Sequence, residues 1–401
     1  MKRKYYRPLE SVLIKASGPD CNLNCKYCFY LKKSELFNNT RVHRMDADIQ
    51  EELIKQIMEQ SGDSVSIAWQ GGEPTLMGLD FYKRAIELEQ KYGHGQMVGN
   101  GLQTNGTLLT PEWADFLKKY HWLVGISLDG PEFIHDHYRL DKSGNGTHSK
   151  VENNAKMLLE KGVDVNAMCC VSDFSVKYPD ELYNYYKNMG LNYMQFIPIV
   201  ETDTEDPSKS ADFSVNAVDY GNFLIRLFDL WLADFKNGQP TTSIRFIESY
   251  FFLYMDLEAP DCSLMKTCGP YVVIEHNGNV YSCDFFVEPE WKLGNIKHGR
   301  LIDFLNSKKQ IKFALRKANI SAKCRQCKWL RKCYAGCVKD RIKDPQDHHQ
   351  PRFCTSFKMF LSHADPIFRD IAEQRKKQIK DYEESQKTGG VYDASKDFNI
   401  Q

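Results

Sequence analysis

Thirteen cysteines are spread over the 401 residues, and eleven of them fall into spacings that suit metal ligation. Cys21, Cys25 and Cys28 form C-x3-C-x2-C. Three thiolates can hold three irons of a 4Fe-4S cubane and leave the fourth iron without a protein ligand. Such an open position can accept the amino and carboxylate groups of a small molecule, as an open catalytic zinc takes its substrate. A structural zinc site with a distant fourth ligand is the competing reading. Further on come Cys262, Cys268 and Cys283, then Cys324-x2-Cys327-x5-Cys333-x3-Cys337, and last Cys354. A four-thiolate cubane has no iron left for substrate and suits electron transfer, whereas a pair of structural zinc sites would use the same spacing.

The remaining pair, Cys169 and Cys170, are neighbours on a predicted strand and face opposite sides, so they read as core packing. His348-His349 reads as a solvent-facing loop. An odd number of thiols argues against a fully paired disulfide framework, and grouped thiols in a reducing compartment are metal ligands before they are disulfides. Lys plus Arg and Asp plus Glu balance at 53 each, and hydrophobic residues make up 42%. Nothing here asks for a nucleic-acid or membrane-surface partner. The basic first residues, 1–7, are followed by no apolar signal region, and no apolar run approaches the ~18 residues of a membrane span. A cytoplasmic protein is expected.

The elements that must position these residues alternate. Strands are expected at Ser11–Ala16, Ser64–Trp69, a stretch ending before Gln103-Thr104-Asn105-Gly106, Trp122–Leu128, Val163–Val171 and Tyr193–Val200. Helices are expected at Asp46–Gln60, Asp80–Tyr92, from Pro111, Lys150–Lys161 and Tyr178–Met189, by their 3.6-residue periodicity. Six near-continuous apolar strands alternating with helices imply an α/β fold with a parallel sheet, preferably a partial (β/α)6 barrel, with a doubly wound open sheet as the alternative. The polar and glycine-rich motifs sit at C-terminal strand ends, where the active sites of such barrels collect. Thr202–Asp212 reads as a loop and Val218–Phe235 as an apolar helix. Asn277-Gly278, between Tyr271–Ile274 and Val280–Cys283, signals a hairpin. After Phe368 the chain is charged and helix-prone, and it is expected to fray from Gln386.

The run Cys21-Asn-Leu-Asn-Cys25-Lys-Tyr-Cys28 resembles the signature of the radical S-adenosylmethionine (SAM) superfamily. Gly71-Gly72-Glu73-Pro74 resembles its GGEP element. The cysteines from Cys262 to Cys354 resemble the SPASM extension of peptide-modifying members. Gln70-Gly-Gly-Glu-Pro-Thr-Leu, Leu102-Gln-Thr-Asn-Gly-Thr-Leu, Val124-Gly-Ile-Ser-Leu-Asp-Gly-Pro and Val280-Tyr-Ser-Cys-Asp-Phe-Phe are similar to anaerobic sulfatase-maturating enzymes over about residues 9–365. The resemblance implies a radical SAM partial barrel over 1–235, a small cysteine-rich α+β SPASM domain with two auxiliary cluster sites over 236–365, and a charged tail over 366–401.

It also implies three 4Fe-4S clusters and S-adenosyl-L-methionine as cofactors. Cys21, Cys25 and Cys28 would hold the SAM-cleaving cluster, with Cys262, Cys268, Cys283 and Cys337 on the first auxiliary cluster and Cys324, Cys327, Cys333 and Cys354 on the second. SAM contacts would come from Gly72, whose missing side chain admits the ligand, and from Ser127, Arg139 and Val200. Tyr27 is either a packed aromatic or a ring against adenine. Asp284 would be the catalytic base, against the plain reading of a carboxylate that caps a turn. Tyr30 and Gln70 would line the same cavity.

The implied reaction oxidises a Cys or Ser in a sulfatase Cys/Ser-x-Pro-x-Arg segment to Cα-formylglycine, with flavodoxin or ferredoxin as electron donor. One alternative is a SPASM maturase that forms thioether or carbon–carbon crosslinks. Another is a non-enzymatic iron-sulfur or zinc module, which would need no open-site cluster.

Overall fold

The computed structural model describes residues 6–37, 40–206, 208–342 and 351–388. Residues 1–5, Pro207, His348-His349 and residues 389–401 therefore lie outside the described residues. The strands and helices follow the expected alternation: β1 Ser11–Lys15, α1 Ala47–Gln60, β2 Ser64–Gln70, α2 Leu79–Tyr92, β3 Met97–Thr104, α3 Pro111–Lys119, β4 Leu123–Ser127, α4 Glu132–Tyr138, α5 His148–Glu160, β5 Asp164–Val171, α6 Pro179–Met189 and β6 Tyr193–Pro198. There follow α7 Ala217–Ala233, β7 Ser243–Ile244, α8 Arg245–Tyr254, β8 Val272–Glu275, β9 Asn279–Tyr281 and β10 Lys292–Asn295. Five short helices, α9 Leu301–Leu305, α10 Lys308–Arg316, α11 Ala322–Arg325, α12 Leu330–Cys333 and α13 Val338–Ile342, precede the long α14, Cys354–Thr388.

Two compact units emerge, Met1–Met168 with Thr267–Asn319, and Cys169–Lys266 with Ile320–Gln401. This division is discontinuous along the chain. Its physical reason lies at β1. That strand pairs in parallel with β2 on one side and with β8 on the other. An uncovered β1 edge would leave a row of unpaired backbone groups, and the β8–β9 hairpin satisfies them. Residues 267–319 thus belong with the first unit.

Within the first unit β1 to β4 run parallel, and β4 pairs with the first residues of β5. The β8–β9 and β9–β10 pairs are antiparallel, so the Asn277-Gly278 hairpin forms as expected, with Gly278 at φ +78°. Asp46 caps α1 by accepting from Ile49 N at 2.7 Å, and Pro111 opens α3. Trp69, Tyr82 and Trp122 pack between the strands and their helices, Trp69 meeting Tyr82 edge-on at 5.4 Å.

The second unit packs α14 along α7 and α8, with β6 and β7 parallel. Phe228, Phe360 and Phe368 lock these helices together. The helical tail is present through Thr388. Among the described residues no helix is long and apolar enough to cross a membrane.

Candidate functional site

β1 runs straight into the Cys21–Cys28 loop, and that loop is strapped on two sides. Gly72 N donates to Gly18 O and Glu73 N to Asp20 O, both at 2.7 Å, while Asn24 N and Lys26 N donate to Leu140 O and Tyr138 O. A Cβ on Gly72 would lie 2.0 Å from Asp20 O. Glycine is required here by the loop's own backbone.

Glu73, fully buried, accepts from Thr75 Oγ1 (2.6 Å), Thr104 Oγ1 (2.7 Å) and Asn105 N (2.7 Å). Burial pushes its carboxyl upward, and those donors oppose the shift. Asn105 in turn points Nδ2 at Cys21 Sγ (3.7 Å). The GGEP turn, the end of β3 and the first cysteine form one connected web.

Burial raises the Cys21 thiol to about 11 and the Cys25 thiol to about 12. Cys28 adds to both shifts, Cys21 adds to that of Cys25, and Arg139 draws Cys25 down, so the three thiols lie within electrostatic reach of one another. Thiols in such surroundings lose their protons to a bound metal rather than to solvent. Among the described residues no three His, Cys, Asp or Glu side chains converge as the ligands of a single ion do. A cubane carries its ligands on separate iron corners and needs them wider apart.

Beside the loop, Arg139 Nε donates to Asp129 Oδ2 at 2.8 Å, and both side chains are buried. The Tyr27 hydroxyl also donates to Asp129, and the Arg139 guanidinium lies 5.4 Å from the Tyr27 ring. The Tyr27 ring also meets Tyr138 edge-on at 6.0 Å. Ser127 Oγ accepts from Gln103 Nε2 (3.1 Å) at the end of β4.

At the end of β1, Lys15 is in register with Gln70 on one side and Glu275 on the other. The lysine is 1% exposed. Its Nζ lies 2.5 Å from Asp284 Oδ1, a charge contact whose angles fall short of a formed hydrogen bond. The same ammonium sits 3.7 Å from the centre of the Tyr30 ring, and the Tyr30 hydroxyl donates to Glu275. The hairpin brings Asp284, one residue past Cys283, back to the strand that feeds the first cysteine loop. Tyr271 OH approaches Cys283 Sγ at 3.8 Å.

In the second unit, Cys324, Cys327, Cys333 and Cys354 line one apolar pocket, open at its mouth, with Trp329, Leu330, Ala335, Pro351 and Phe357. Burial raises the Cys333 thiol to about 11, with the backbone of Ala335 and Gly336 opposing the shift, and Gly336 N donates to the Cys333 carbonyl at 2.9 Å. Tyr334, Ala335 and Gly336 are all left-handed, and Arg341 donates to the Tyr334 and Ala335 carbonyls. Strained backbone of this kind persists only where its surroundings fix it. Four thiols around an apolar hollow fit a cluster.

The family model of the Radical SAM superfamily matches residues 16–189, and that of the SPASM iron-sulfur cluster-binding domain matches residues 265–328. A serine-type anaerobic sulfatase-maturating enzyme of Bacteroides thetaiotaomicron is 36% identical over 91% of this chain and 92% of its own length. A cysteine-type enzyme of Clostridium perfringens is 35% identical over 92% of this chain and all of its own. Native anSMEcpe with bound AdoMet and Cp18Cys peptide superposes with a TM-score of 0.83 at 33% identity, over 91% of this chain and 99% of that one. The chain belongs to the anaerobic sulfatase-maturating enzymes.

As a radical SAM enzyme of this family it has the expected partial (β/α)6 barrel with a cysteine-rich SPASM extension, and its cofactors are SAM and iron-sulfur clusters. The non-enzymatic reading falls with that assignment. Of the first auxiliary set, Cys268 and Cys283 lie in the first unit and Cys262 and Cys337 in the second. Val200 is in the second unit, where Lys339 Nζ donates to its carbonyl at 2.6 Å and pairs with Glu201 at 2.9 Å. Cys169 is fully buried on β5, as core packing requires.

Sequence reasoning missed Lys15 and Asp129. A lysine closing the apolar strand Ser-Val-Leu-Ile-Lys was the available signal, because a charge at that point must find a partner. Asp129 stood in a turn motif that is read for its glycine.

Proposed function

We propose that this enzyme oxidises a Cys or Ser side chain in a sulfatase polypeptide to Cα-formylglycine. The observation that carries the reading is Asp284, held against buried Lys15 at the end of the strand that leads into the Cys21–Cys28 loop. A base must lie within reach of the proton it removes, and this places a carboxylate on the same strand edge as the radical-forming loop. When bound, the first cluster and SAM supply a 5′-deoxyadenosyl radical that takes a hydrogen atom from the substrate Cβ.

Asp284 accepts the proton of the substrate thiol or hydroxyl. Lys15 fixes that carboxylate and balances its charge. Cys25 and its two partners hold the first cluster, and the Asn105–Glu73 web orients Cys21. Gly72, Ser127 and Arg139, with Val200, hold SAM. Cys262, Cys268, Cys283 and Cys337 hold the first auxiliary cluster, and Cys324, Cys327, Cys333 and Cys354 the second, which gives three in all and an exit for the electron released by the substrate. The balance closes: SAM cleavage consumes one electron and the oxidised substrate returns one. A thioaldehyde from Cys hydrolyses to the aldehyde, whereas Ser reaches it directly.

The relatives divide between serine-type and cysteine-type names at almost equal identity, so the test uses both peptides. Anaerobically reconstituted enzyme is incubated with SAM, dithionite and a Cys-x-Pro-x-Arg or Ser-x-Pro-x-Arg peptide, and the product is weighed by mass spectrometry. Asp284→Asn should keep SAM binding and iron content while product formation falls by about 10²–10⁴-fold. Near-normal yield from that variant removes Asp284 from the mechanism.

A further inference from the structure

Arg7 belongs to the basic first residues and stands before the stretch that carries the family motifs. Its backbone is held by the Asn306 side chain, which accepts from Arg7 N at 2.7 Å and donates to Arg7 O at 2.9 Å. That anchor delivers the guanidinium to the segment around Cys268. Arg7 Nη1 donates to the Cys268 carbonyl at 2.9 Å and also to the Gly269 carbonyl, and Nη2 donates to Thr267 Oγ1 at 3.2 Å.

Gln310, on α10, grips the same segment. Its side chain is buried, and Nε2 donates to Gly269 O (3.5 Å), Tyr271 O (3.3 Å) and Ser282 O (3.3 Å). Gly269 follows Cys268 and Ser282 precedes Cys283, so one amide ties together the two segments that carry these cysteines. Cys268 N donates to Ala314 O, also on α10, at 3.2 Å. Gly269 is left-handed at φ +73°, and a Cβ there would meet Gln310 Nε2 at 2.5 Å.

A neutral donor would satisfy the Cys268 and Gly269 carbonyls as a guanidinium does. What the arginine adds is charge. An iron-sulfur cluster gains one negative charge on reduction, so a cation fixed to a ligand's own backbone favours the reduced form and raises the potential.

We propose that Gln310 and Arg7 are positioning residues for the electron exit: Gln310 holds Cys268 and Cys283 together as ligands of one cluster, and Arg7 raises the potential of that cluster. The cluster gains the one electron that the substrate radical loses, and no atom passes between them. The proposal rests on the reading that both cysteines ligate the first auxiliary cluster.

The test uses the full-length enzyme, reconstituted anaerobically. Iron is counted, the clusters are titrated by potential under electron paramagnetic resonance, and 5′-deoxyadenosine is compared with formylglycine formed from a Cys-x-Pro-x-Arg peptide. Arg7→Gln keeps a donor and removes the charge. It should retain about twelve irons per chain, lower the potential of one cluster only, and raise the ratio of 5′-deoxyadenosine to product. Arg7→Lys keeps the charge and should restore both values. A contact that serves folding alone would not move a potential. Gln310→Leu should lose one cluster, falling to about eight irons, while the Cys21–Cys28 site still forms 5′-deoxyadenosine.

A wild-type potential in Arg7→Gln overturns the role of Arg7, and about twelve irons in Gln310→Leu overturns that of Gln310. Wild-type protein with only about eight irons would instead remove the cluster assigned to Cys268 and Cys283, and the proposal with it. The potentials are read without substrate, so they stand apart from the formylglycine reading.

Discussion

Lys15 and Asp284 show what one buried charge demands of its surroundings. An ammonium that is almost wholly out of water is tolerated only beside a counter-charge, and here the partner is the proposed base. Lys15→Met should therefore destabilise the fold by about 3–5 kcal/mol in denaturant unfolding, because it leaves Asp284 facing an apolar group. The double variant Lys15→Met/Asp284→Asn should recover much of that loss. Additive losses in the two single variants would mean that the pair is not coupled. Asp284 was legible in the sequence through its place after Cys283. Lys15 was not, because its role depends on the β8–β9 hairpin returning to β1 from far along the chain.

At the scale of elements, the loop that carries the first cysteines is shaped by what grips it. Gly72→Ala would drive a methyl group into Asp20 O, so the loop must shift. The expected outcome is loss of iron from the first site and of SAM-dependent 5′-deoxyadenosine, read by iron analysis and chromatography. Retained activity would mean that the clasp yields.

A second element contact gives a pH signature. Trp69 Nε1 donates to Asn100, and Asn100 donates to both oxygens of Glu89 on α2 (3.1 Å each). Burial raises the Glu89 carboxyl to about 7, with the Asn100 bonds opposing. The folded state then binds this proton more tightly than the unfolded chain. Stability falls as pH rises from the ordinary carboxyl range through about 7, because the native state must ionise a buried acid. Glu89→Gln should be more stabilising, relative to wild type, at pH 8 than at pH 5, as thermal melts over that range would reveal. A pH-independent difference would contradict this.

The strands and helices that apolar periodicity marked, from β1 to β3, α1 to α3, β4 to β6 and α5 to α7, lie within a residue or two of their expected ends. The pairing of β8 with β1 was not legible, since an apolar strand does not state which edge it will join. Spacing marks Gly72 as a point of close approach, and that Asp20 O makes one such approach emerges only once the loop is folded.

At the scale of the whole molecule, the three four-iron clusters proposed above would require about twelve irons per chain. Cys333→Ala with Cys354→Ala should reduce this to about eight while the SAM-cleaving site still forms 5′-deoxyadenosine. Loss of iron from all three sites would mean that their assembly is interdependent.

The hairpin at β8 and β9 also fixes when the enzyme can finish folding. During translation, β1 leaves the ribosome some 260 residues before its outer neighbour exists, an interval of some tens of seconds at about 5–20 residues per second. Throughout that time the nascent sheet offers a bare margin to other newly made chains. Release at residue 235 would make the exposure permanent, so such a fragment should be sticky, and trigger-type chaperones have a natural task on this polypeptide.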